Sequence, residues 1–349
     1  MFYWLKFIIE LMPKLKIVFF ETFGENKSYL KQKLSKNFKL DFISEPLSYE
    51  NAATAKNADI VGVFVGSKVN KDVLKNLPKL KLVVTMSTGF DHIDVAFAKN
   101  KGILVCNVPT YGENTVAEHA FSLILAISRK LFESNLSLKN GGFYNESLMG
   151  FDLKDKNLGI LGCGSIGKHL AKMAYGFDMN VFAYDVNCDL DFGAKYQMNY
   201  TKTIDEVFKN SDIISLHLPL NANTKHIIND KSISKMKNKV VIINTARGGL
   251  IDSKSLYQGL MTGKILAAGI DVFEEENYIK EEVENLLEQT PEGVDLKTVL
   301  TVHKIINHPN VIATPHNAFN SKEAVKRIMD TTIKNILNYK INTPQNLIV

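Results

Sequence analysis

The sequence predicts an α/β protein with two doubly wound parallel sheets. Short apolar runs alternate with helical patterns along most of the chain, as they do where helices connect parallel strands. The length of 349 residues suits two domains, and 45% hydrophobic with 23% charged residues is an ordinary globular composition. The alternation restarts near residue 156 after one long apolar helix, which indicates a second sheet.

The first series of elements begins with the run KLKIVFF at 14–20, which predicts a strand, and continues with a helix over 26–36. Further strands are predicted at 59–65, 80–86 and 103–106. A helix predicted over 113–131 is apolar on almost every side. We therefore expect it to be buried, as an interface helix between domains or subunits would be.

The second series contains six predicted buried strands joined by helices, the pattern of a doubly wound nucleotide-binding sheet. The strands are expected at 156–161, 180–185, 212–217, 239–244, 266–271 and 311–314, with helices such as 166–176 and 253–262 between them. Residues 277–304 interrupt this rhythm with an acidic amphipathic stretch and a Pro-Glu-Gly turn, which predicts an inserted surface helix and loop. The last helix, about 321–339, would return the chain to the first domain.

Charge and hydropathy argue against several classes of function. The formal net charge is +5, but the basic residues are spread along the chain, which argues against nucleic-acid binding. No apolar run reaches the roughly 18 residues of a membrane-spanning helix. Glu10 interrupts the apolar start and no cleavage site follows, which disfavours a signal peptide. Residues 1–11 could be an extension, and a membrane contact there is the less favoured interpretation. Three cysteines without metal-ligand spacing indicate no metal site and a reducing compartment, the cytoplasm.

A glycine motif, LGILGCGSIG at 158–167, follows the first strand of the second series and begins a helix. Its G-x-G-x-x-G spacing at Gly162, Gly164 and Gly167 permits a tight turn, close approach of a pyrophosphate and close helix packing. Phosphates bind at such helix N-termini through free N–H groups and the helix dipole. Asp185 ends the next strand, where an acid accepts both ribose hydroxyls and repels a 2′-phosphate, so NAD is favoured over NADP. The alternative is a plain strand–helix turn whose aspartate caps a strand.

Three candidate catalytic side chains follow later strands of the same sheet, at the edge where ligands bind. Only three of the 42 basic residues are arginine, and Arg247 follows a buried strand, where its planar donors suit a carboxylate and an adjacent carbonyl. His316 can exchange a proton near neutral pH, and Glu276 could bond its far ring nitrogen and fix the tautomer. The three lie in the segments INTARGG (243–249), GIDVFEEE (269–276) and TPHNAF (314–319).

Each of these residues also has a structural explanation. Arg247 could form an ion pair with Asp271. The candidate histidine could be a satisfied core residue, and the run of three acids that includes its candidate partner could be a solvated helix start. His217 also ends a strand, and we assign it to lining the cofactor site because no acid lies near it in sequence. A metal site formed by His217, His226 and the acidic run is not supported by ligand spacing.

Taken together, these residues resemble a known family. From about residue 14 to the end, the sequence is similar to the D-isomer-specific 2-hydroxyacid dehydrogenases, and most similar to their D-lactate dehydrogenase branch. Several long segments match in order and in spacing. They are STGFDHID (87–94), NVPTYGENTVAEHAFSLILAISRK (107–130), GILGCGSIG (159–167), SLHLPLNANTKHIIN (215–229), INTARGGLID, GIDVFEEE and TPHNAF.

The resemblance implies a particular domain organisation. A flavodoxin-like substrate domain would consist of residues 1–112 and 320–349, and a Rossmann NAD-binding domain at 113–319 would be inserted in it. The family also implies a homodimer, with the helix at 113–131 in the subunit-contacting region. The insertion after the acidic run resembles the D-lactate branch more than the phosphoglycerate or glyoxylate reductase branches.

The resemblance also implies roles for single residues. Arg247 would bind the substrate, Glu276 would orient the histidine, and His316 would donate the proton. Cofactor contacts are implied for Ser165 and Ile166 at the pyrophosphate, Asp185 at the ribose, Leu218, Pro219 and Thr224, and, near the nicotinamide, Thr245, Ala246 and Asp271. The backbone amides at Val65, Gly66, Thr88 and Gly89 would hold the substrate carboxylate.

The expected activity is NAD-dependent interconversion of pyruvate and D-lactate, or of a similar 2-oxo acid pair. The chain departs from the D-lactate branch at Asn317 and at Phe319-Asn320, near the expected substrate pocket. Reduction of glyoxylate, hydroxypyruvate or a branched 2-oxo acid is therefore an alternative. An NAD-sensing protein like the corepressors that share this fold is a further alternative, against which the intact set of catalytic residues argues.

Overall fold

The computed structural model describes residues 14–143, 146–279 and 294–349. These residues form two compact units, one of residues 14–112 with Ser321–Val349 and one within Glu113–Asn320. The predicted extension at 1–11 lies outside the described residues. Each unit is built on one parallel sheet, so the predicted α/β class with two doubly wound sheets is confirmed.

The sheet of the first unit has five parallel strands in the order β2-β1-β3-β4-β5. Its strands are β1 (Lys16–Phe19), β2 (Lys39–Phe42), β3 (Ile60–Val63), β4 (Leu82–Thr85) and β5 (Leu104–Cys106). The helices between them are α1 (Gly24–Leu34), α2 (Lys71–Lys75) and α3 (Val95–Asn100), with a 3₁₀ turn at Ala52–Ala55. This strand order is the flavodoxin-like one, with its topological switch point between β1 and β3.

The centre of this sheet is fully buried, as a parallel sheet covered on both faces requires. Ile17, Val18 and Phe19 of β1 have no exposed surface. Phe19 pairs with Gly62 across the sheet and stacks on Phe42 at a centroid distance of 5.4 Å. A Cβ at Gly62 would lie 2.3 Å from the Phe19 ring, so the large aromatic core residue requires glycine opposite it.

The sheet of the second unit has seven parallel strands in the order β12-β11-β10-β9-β6-β7-β8. They are β6 (Asn157–Leu161), β7 (Asn180–Tyr184), β8 (Met198–Tyr200), β9 (Ile213–Leu216), β10 (Val240–Asn244), β11 (Ile265–Ile270) and β12 (Val311–Ala313). The helices are α4 (Glu113–Ser128), α5 (Leu131–Lys139), α6 (Ser165–Gly176), α7 (Leu190–Lys195), α8 (Ile204–Asn210), α9 (Asp230–Lys235), α10 (Ser253–Met261) and α11 (Leu296–Ile306). Its first six strands follow the 3-2-1-4-5-6 order of a dinucleotide-binding fold, with the switch point between β6 and β9.

Two strands were absent from the sequence prediction, and both are edge strands. β2 (KLDF) and β8 (MNY) are short and partly exposed, so neither presents a buried apolar run. The second sheet therefore has seven strands where six were predicted.

The apolar helix α4 is buried within its own unit. Ala120, Leu123, Ile124 and Ile127 belong to the core between this helix and the sheet. At Gly269 of β11 a Cβ would lie 3.0 Å from the Leu123 Cβ, which shows how closely the helix packs. Covering the sheet accounts for much of the apolar surface that suggested an interface helix.

The prediction that residues 277–304 form a peripheral insertion is wrong for their last part. Helix α11 is the crossover between β11 and β12, and its Val299, Val302 and Ile305 are buried. Ile305 belongs to the core beneath α10. The periodic apolar positions of this helix follow the acidic stretch closely, so the sequence pattern does not separate the two segments. Most of the acidic stretch and the Pro-Glu-Gly turn lie within residues 280–293, outside the described residues.

The chain returns to the first unit as helix α12 (Lys322–Lys340), which packs on α1 and β4. The segment after it runs antiparallel to β5, with Ile348 N donating to Val105 O and Val105 N donating to Val349 O at 2.8 and 3.2 Å. These bonds cover the edge of the first sheet. Within the described ranges, no helix combines the length and apolar character needed to span a bilayer.

Candidate active site

The glycine turn lies at the switch point of the second sheet, between β6 and the end of β9. Gly162 has φ +91°, and a Cβ there would lie 2.7 Å from the His217 carbonyl oxygen. A Cβ at Gly167 would lie 2.4 Å from the Gly162 carbonyl oxygen, so this glycine lets α6 pack against the turn. A Cβ at Gly164 would meet nothing within 4 Å. The first glycine thus serves the turn, the last serves packing, and the middle one borders open space.

That open space fits a pyrophosphate. Helix α6 begins at Ser165 and has no side-chain cap on its first N–H groups. The N–H groups of Ser165, Ile166 and Gly167 are those that a helix cannot bond internally, and the helix dipole favours an anion there. The residues present therefore suit the phosphates of a dinucleotide.

Asp185 is fixed beside this turn by two backbone donors. Its Oδ2 accepts from Cys163 N at 2.6 Å and its Oδ1 accepts from Asn187 N at 2.8 Å. The carboxylate is partly exposed, and each oxygen keeps a further acceptor site. Two oriented acceptors of this kind fit a ribose diol. The same negative charge opposes a 2′-phosphate.

The loop after β9 lines the same edge. His217 Nε2 is 2.9 Å from Ser215 Oγ, and burial lowers the pKa of His217 to about 4, so the ring is neutral at pH 7. Leu218 packs on the core below. Thr224 Oγ1 donates to the Pro219 carbonyl oxygen at 2.6 Å, which closes the loop. A neutral, packed histidine suits a wall of the site better than an acid–base group.

Thr245 and Ala246 follow β10 at the same edge. The Thr245 hydroxyl is buried and has no hydrogen-bond partner within the described part of the chain. A buried hydroxyl without a partner is costly, so it fits a site that a polar ligand group completes. The Ala246 amide donates to Asn244 Oδ1 at 3.1 Å, which fixes the course of the loop.

Asp271, directly after β11, is a fully buried carboxylate. Its Oδ1 accepts from Thr314 Oγ1 at 2.5 Å and from Asn317 N at 2.7 Å, and its Oδ2 accepts from Ala318 N at 3.0 Å. Burial alone would raise the pKa of Asp271, but hydrogen bonds from His119, Thr314 and these two amides outweigh it and hold the pKa below its ordinary value. The ion pair of Asp271 with Arg247 considered above is not formed, because these groups engage the carboxylate instead.

His316 and Glu276 form the pair that the sequence suggested. His316 Nδ1 is 2.6 Å from Glu276 Oε1, and the two side chains are 27% and 36% exposed. His316 itself has left-handed backbone, with φ +50°. Glu275, the residue before Glu276, also has φ +50°. Such strained positions are retained where the surrounding structure fixes them, and they are common at functional sites. The pair is half-buried, so His316 lies outside the fully buried core.

Glu274, the first acid of the run, also has partners within the protein rather than facing only solvent. Glu274 Oε1 is 2.6 Å from His226 Nε2, and its Oε2 accepts from the backbone N and the hydroxyl of Ser253 at 2.9 and 2.7 Å. This ties three loops at the carboxyl edge together. No group of three metal-ligating side chains is found in the ranges that the structure describes.

Arg247 ends the loop after β10 and is partly buried. Its Nη1 donates to the Ala246 carbonyl oxygen at 2.7 Å, and its own carbonyl accepts from Asn244 Nδ2 at 2.9 Å. A Cβ at Gly248 would lie 2.0 Å from the Phe273 carbonyl group, so the arginine loop packs directly on the loop that leads to Glu276. Arg247 and Glu276 are therefore carried by adjoining loops of one edge.

In the first unit, the switch point is filled by a carboxylate that sequence reasoning missed. Glu21 follows β1 and accepts from Phe64 N at 2.9 Å, Gly66 N at 2.8 Å and Ser67 Oγ at 2.5 Å. The Gly66 amide, predicted to hold the substrate carboxylate, is thus already bonded to Glu21. The Val65 amide has no acceptor among the described residues. Of the two amides predicted here to bind the substrate carboxylate, Val65 therefore stays the candidate donor.

The second predicted turn of the first unit follows β4. Thr88 Oγ1 donates to the Val108 carbonyl oxygen at 2.8 Å, and the Thr88 carbonyl accepts from Asn107 Nδ2 at 2.8 Å. The Gly89 carbonyl accepts from Ser87 Oγ at 2.6 Å. These bonds involve the Thr88 side chain and the carbonyls of Thr88 and Gly89. The backbone amides of Thr88 and Gly89 are therefore the groups of this turn to test for binding the substrate carboxylate.

Comparison with known proteins agrees with this geometry. Residues 121–318 match the family model described as D-isomer specific 2-hydroxyacid dehydrogenase, NAD binding domain. The chain is 39% identical over 271 residues to the hydroxypyruvate reductase of Thermotoga maritima, covering 77% of this chain and 81% of that protein. It is 33% identical over 312 residues to a putative D-lactate dehydrogenase of Dictyostelium discoideum, covering 88% of each.

A solved structure of D-lactate dehydrogenase from Aquifex aeolicus, complexed with NAD and lactic acid, superimposes with a TM-score of 0.83. The two share 34% identity, and the match covers 94% of this chain and 96% of that one. The fold and site define an NAD-dependent oxidoreductase. The chain belongs to the D-isomer-specific 2-hydroxyacid dehydrogenase family, and its second unit contains the NAD-binding domain.

Proposed function

We propose that the protein is an NAD-dependent D-lactate dehydrogenase that interconverts pyruvate and D-lactate. The observation that carries this proposal is the 2.6 Å contact of His316 with Glu276 on a loop of the NAD-binding unit. The Aquifex aeolicus relative, whose structure contains NAD and lactic acid, supports the choice of substrate.

In this proposal His316 is the proton donor. Glu276 accepts a hydrogen bond from Nδ1, so the proton that is exchanged sits on Nε2, the other ring nitrogen. NADH, when bound, supplies the hydride that adds to C2 of the oxo acid. His316 Nε2 gives its proton to the carbonyl oxygen as negative charge develops there. In the reverse direction the neutral ring takes that proton back.

Arg247 is proposed to bind the substrate carboxylate and to polarise the carbonyl. A guanidinium is always charged and offers planar paired donors, so it meets the charge that develops on oxygen without reorganising. In the first unit, the backbone amides at Val65 and at the Thr88–Gly89 turn are proposed as further donors to the carboxylate. We propose the first unit as the substrate domain and the second as the cofactor domain.

A second candidate, hydroxypyruvate or glyoxylate reduction, is favoured by one observation. Asn317 follows the proposed proton donor, and its Oδ1 accepts from Asn320 Nδ2 at 2.9 Å. Both amides are exposed: Asn320 stands where D-lactate relatives often carry an aromatic residue, and Asn317 stands where an apolar residue or threonine is more usual. The Thermotoga maritima relative, named a hydroxypyruvate reductase, agrees with such a preference.

The deciding experiment is a panel of 2-oxo acids assayed with NADH and with NADPH. Highest kcat/KM for pyruvate with NADH supports lactate dehydrogenase, whereas a hydroxylated or branched acid in first place supports the second candidate. His316→Gln should lower kcat at least about 100-fold and leave the NADH Kd within about twofold. Absence of turnover with every acid would point instead to an NAD-sensing protein.

We also propose a homodimer. Helix α5 exposes a run of large apolar side chains, among them Leu131, Phe132, Leu136 and Leu138, each more than half exposed. Exposed apolar patches of this kind mark association surfaces. Light scattering of the wild type and of Leu136→Glu tests this proposal, because a dimer should dissociate in the variant while a monomer would be unchanged.

We further propose that the enzyme works in a reducing cytoplasm. All three cysteines are free, and Cys106 and Cys163 are buried. Burial raises the pKa of both thiols, so neither is suited to disulfide exchange.

A further inference from the structure

His119 is a histidine of helix α4 that lies in the matched segment 107–130, but neither the resemblance nor the proposed mechanism gives it a role. Its Nε2 lies 3.1 Å from Thr314 Oγ1 and 3.5 Å from Asp271 Oδ1. The side chain is 19% exposed. All three residues belong to the second unit. A buried helix of the scaffold is thus bonded to the loop that carries His316.

The direction of these hydrogen bonds follows from a count of protons. Thr314 has one hydroxyl proton, and the 2.5 Å contact with the ionised Asp271 carboxylate uses it. Thr314 Oγ1 can therefore only accept from His119. His119 must carry its proton on Nε2, and it donates that proton to the threonine oxygen at 3.1 Å, with Asp271 Oδ1 as a longer second acceptor at 3.5 Å. The chain of donation runs from His119 to Thr314 to Asp271.

Asp271 in turn determines the shape of the His316 loop. Its carboxylate binds the amides of Asn317 and Ala318, on one side of His316, and its backbone carbonyl accepts from His316 N at 2.8 Å. His316 is held at φ +50° between these anchors. A non-glycine residue in this region is strained and relaxes unless its neighbours are fixed.

We propose that His119 is a positioning residue for the reaction, which acts through Thr314 and Asp271 to keep His316 in its strained, proton-donating orientation. This proposal rests on the proposed role of His316. The Nε2–H donor of His119 keeps the Thr314 hydroxyl turned toward Asp271. Both oxygens of the Asp271 carboxylate then stay directed at the loop amides. Loss of the donor leaves Thr314 free to rotate and the loop free to relax.

The test uses a matched pair of variants at His119. His119→Phe keeps the ring volume but removes the donor, whereas His119→Gln keeps an N–H donor at about the reach of Nε2. Thr314→Val removes the hydroxyl and keeps the shape, and Thr314→Ser keeps the hydroxyl. Steady-state kcat and KM are measured with the best 2-oxo acid of the panel, and NADH Kd is measured by fluorescence titration.

We expect His119→Phe to lower kcat about tenfold while KM for the oxo acid and NADH Kd change less than about twofold. His119→Gln should recover most of the lost kcat. The double variant His119→Phe with Thr314→Val should be about as slow as the slower single variant, because both break one chain of donation.

Unchanged kcat in His119→Phe would overturn the proposal. Fully additive effects of the His119 and Thr314 variants, or a glutamine variant as slow as the phenylalanine variant, would overturn it as well. If His119→Phe does not fold, Thr314→Val against Thr314→Ser decides: a slow valine and a normal serine variant support the proposal, and equal rates refute it. If His316→Gln itself retains turnover, the proposed proton donor fails, which is a separate result from failure at His119.

Discussion

Replacing Asp271 by asparagine should destabilise the second unit by about 2–4 kcal/mol. The fully buried carboxylate accepts short hydrogen bonds from Thr314 Oγ1, Asn317 N and Ala318 N, besides the longer contact with His119. Charged hydrogen bonds contribute about 1.5–3 kcal/mol and neutral ones about 0.5–1.5, and a buried N–H without an acceptor costs about 1–3 kcal/mol. If the amide oxygen keeps Thr314 and Asn317, two bonds lose their charge and the Ala318 amide faces an N–H donor. Relief from burying a charge offsets part of this loss.

The pH dependence of this effect has a definite sign. Because the pKa of Asp271 is held below its ordinary value, its ionised form stabilises the folded unit. That contribution is fully present above about pH 4, the ordinary pKa of an aspartate, and is lost as the pH falls through the lower folded pKa. The wild type should therefore lose its advantage over Asp271→Asn progressively below about pH 4.

The stability is measured by urea denaturation, and the opening of residues 311–320 is measured separately by peptide-resolved hydrogen exchange. Both are needed because the two units need not unfold together. Asp252→Asn is the matched control: the partly exposed Asp252 caps the N-terminus of α10, and asparagine caps a helix about as well. We expect less than about 0.5 kcal/mol there. An Asp271→Asn difference that stayed constant from pH 7 to pH 3 would refute the role given to the buried charge.

Three further predictions follow from the two switch points. Asp185→Ala should weaken NADH binding and narrow the gap between NADH and NADPH, and a wild type that uses both cofactors equally would contradict this. Gly164→Ala should keep the melting temperature and raise NADH Kd. Gly167→Ala should lower the melting temperature, because of the two variants only the Cβ at position 167 would meet backbone atoms. If the two variants changed the melting temperature and the NADH Kd equally, the assignment would be wrong. Glu21→Gln should raise KM for the oxo acid several-fold and leave NADH Kd unchanged. The control Glu45→Gln, at an exposed glutamate, should change neither quantity. Steady-state kinetics measure the KM of both variants.

The sequence was sufficient for the strands that are buried on both faces. β6, β9 and β10 are continuous apolar runs, and each was predicted within about two residues of its bounds. The edge strands β2 and β8 were missed because one side of an edge strand faces solvent and its apolar signal is weak. Helix α11 was misplaced because its three buried residues follow a strongly polar stretch.

The site was predictable where chemistry and position coincide. Glu276 and His316 are polar residues in the loops that follow β11 and β12, and such loops meet at one edge of a parallel sheet. His119 and Glu21 could not be found in this way. His119 is one polar position within an apolar helix, 195 residues from Thr314, and Glu21 bonds to groups 43–46 residues away. Neither spacing carries a local pattern that a single sequence reveals.

The division of the chain between the units has a consequence for its synthesis. The second unit is contiguous, whereas the first needs helix α12, which contributes Ile328 and Ile336 to its core. At about 5–20 residues per second, the ribosome delivers α12 roughly 10–40 s after residue 112. The first unit therefore stays incomplete until α12 is made, and the face that α12 will cover is exposed to solvent. The second unit can fold during that time. Limited proteolysis of ribosome-bound chains that are cut after residue 320 and extended by a linker long enough to span the exit tunnel should cleave the first segment and spare the second. A mutation that slows the second unit should thus prolong the exposure of the first to chaperones and proteases.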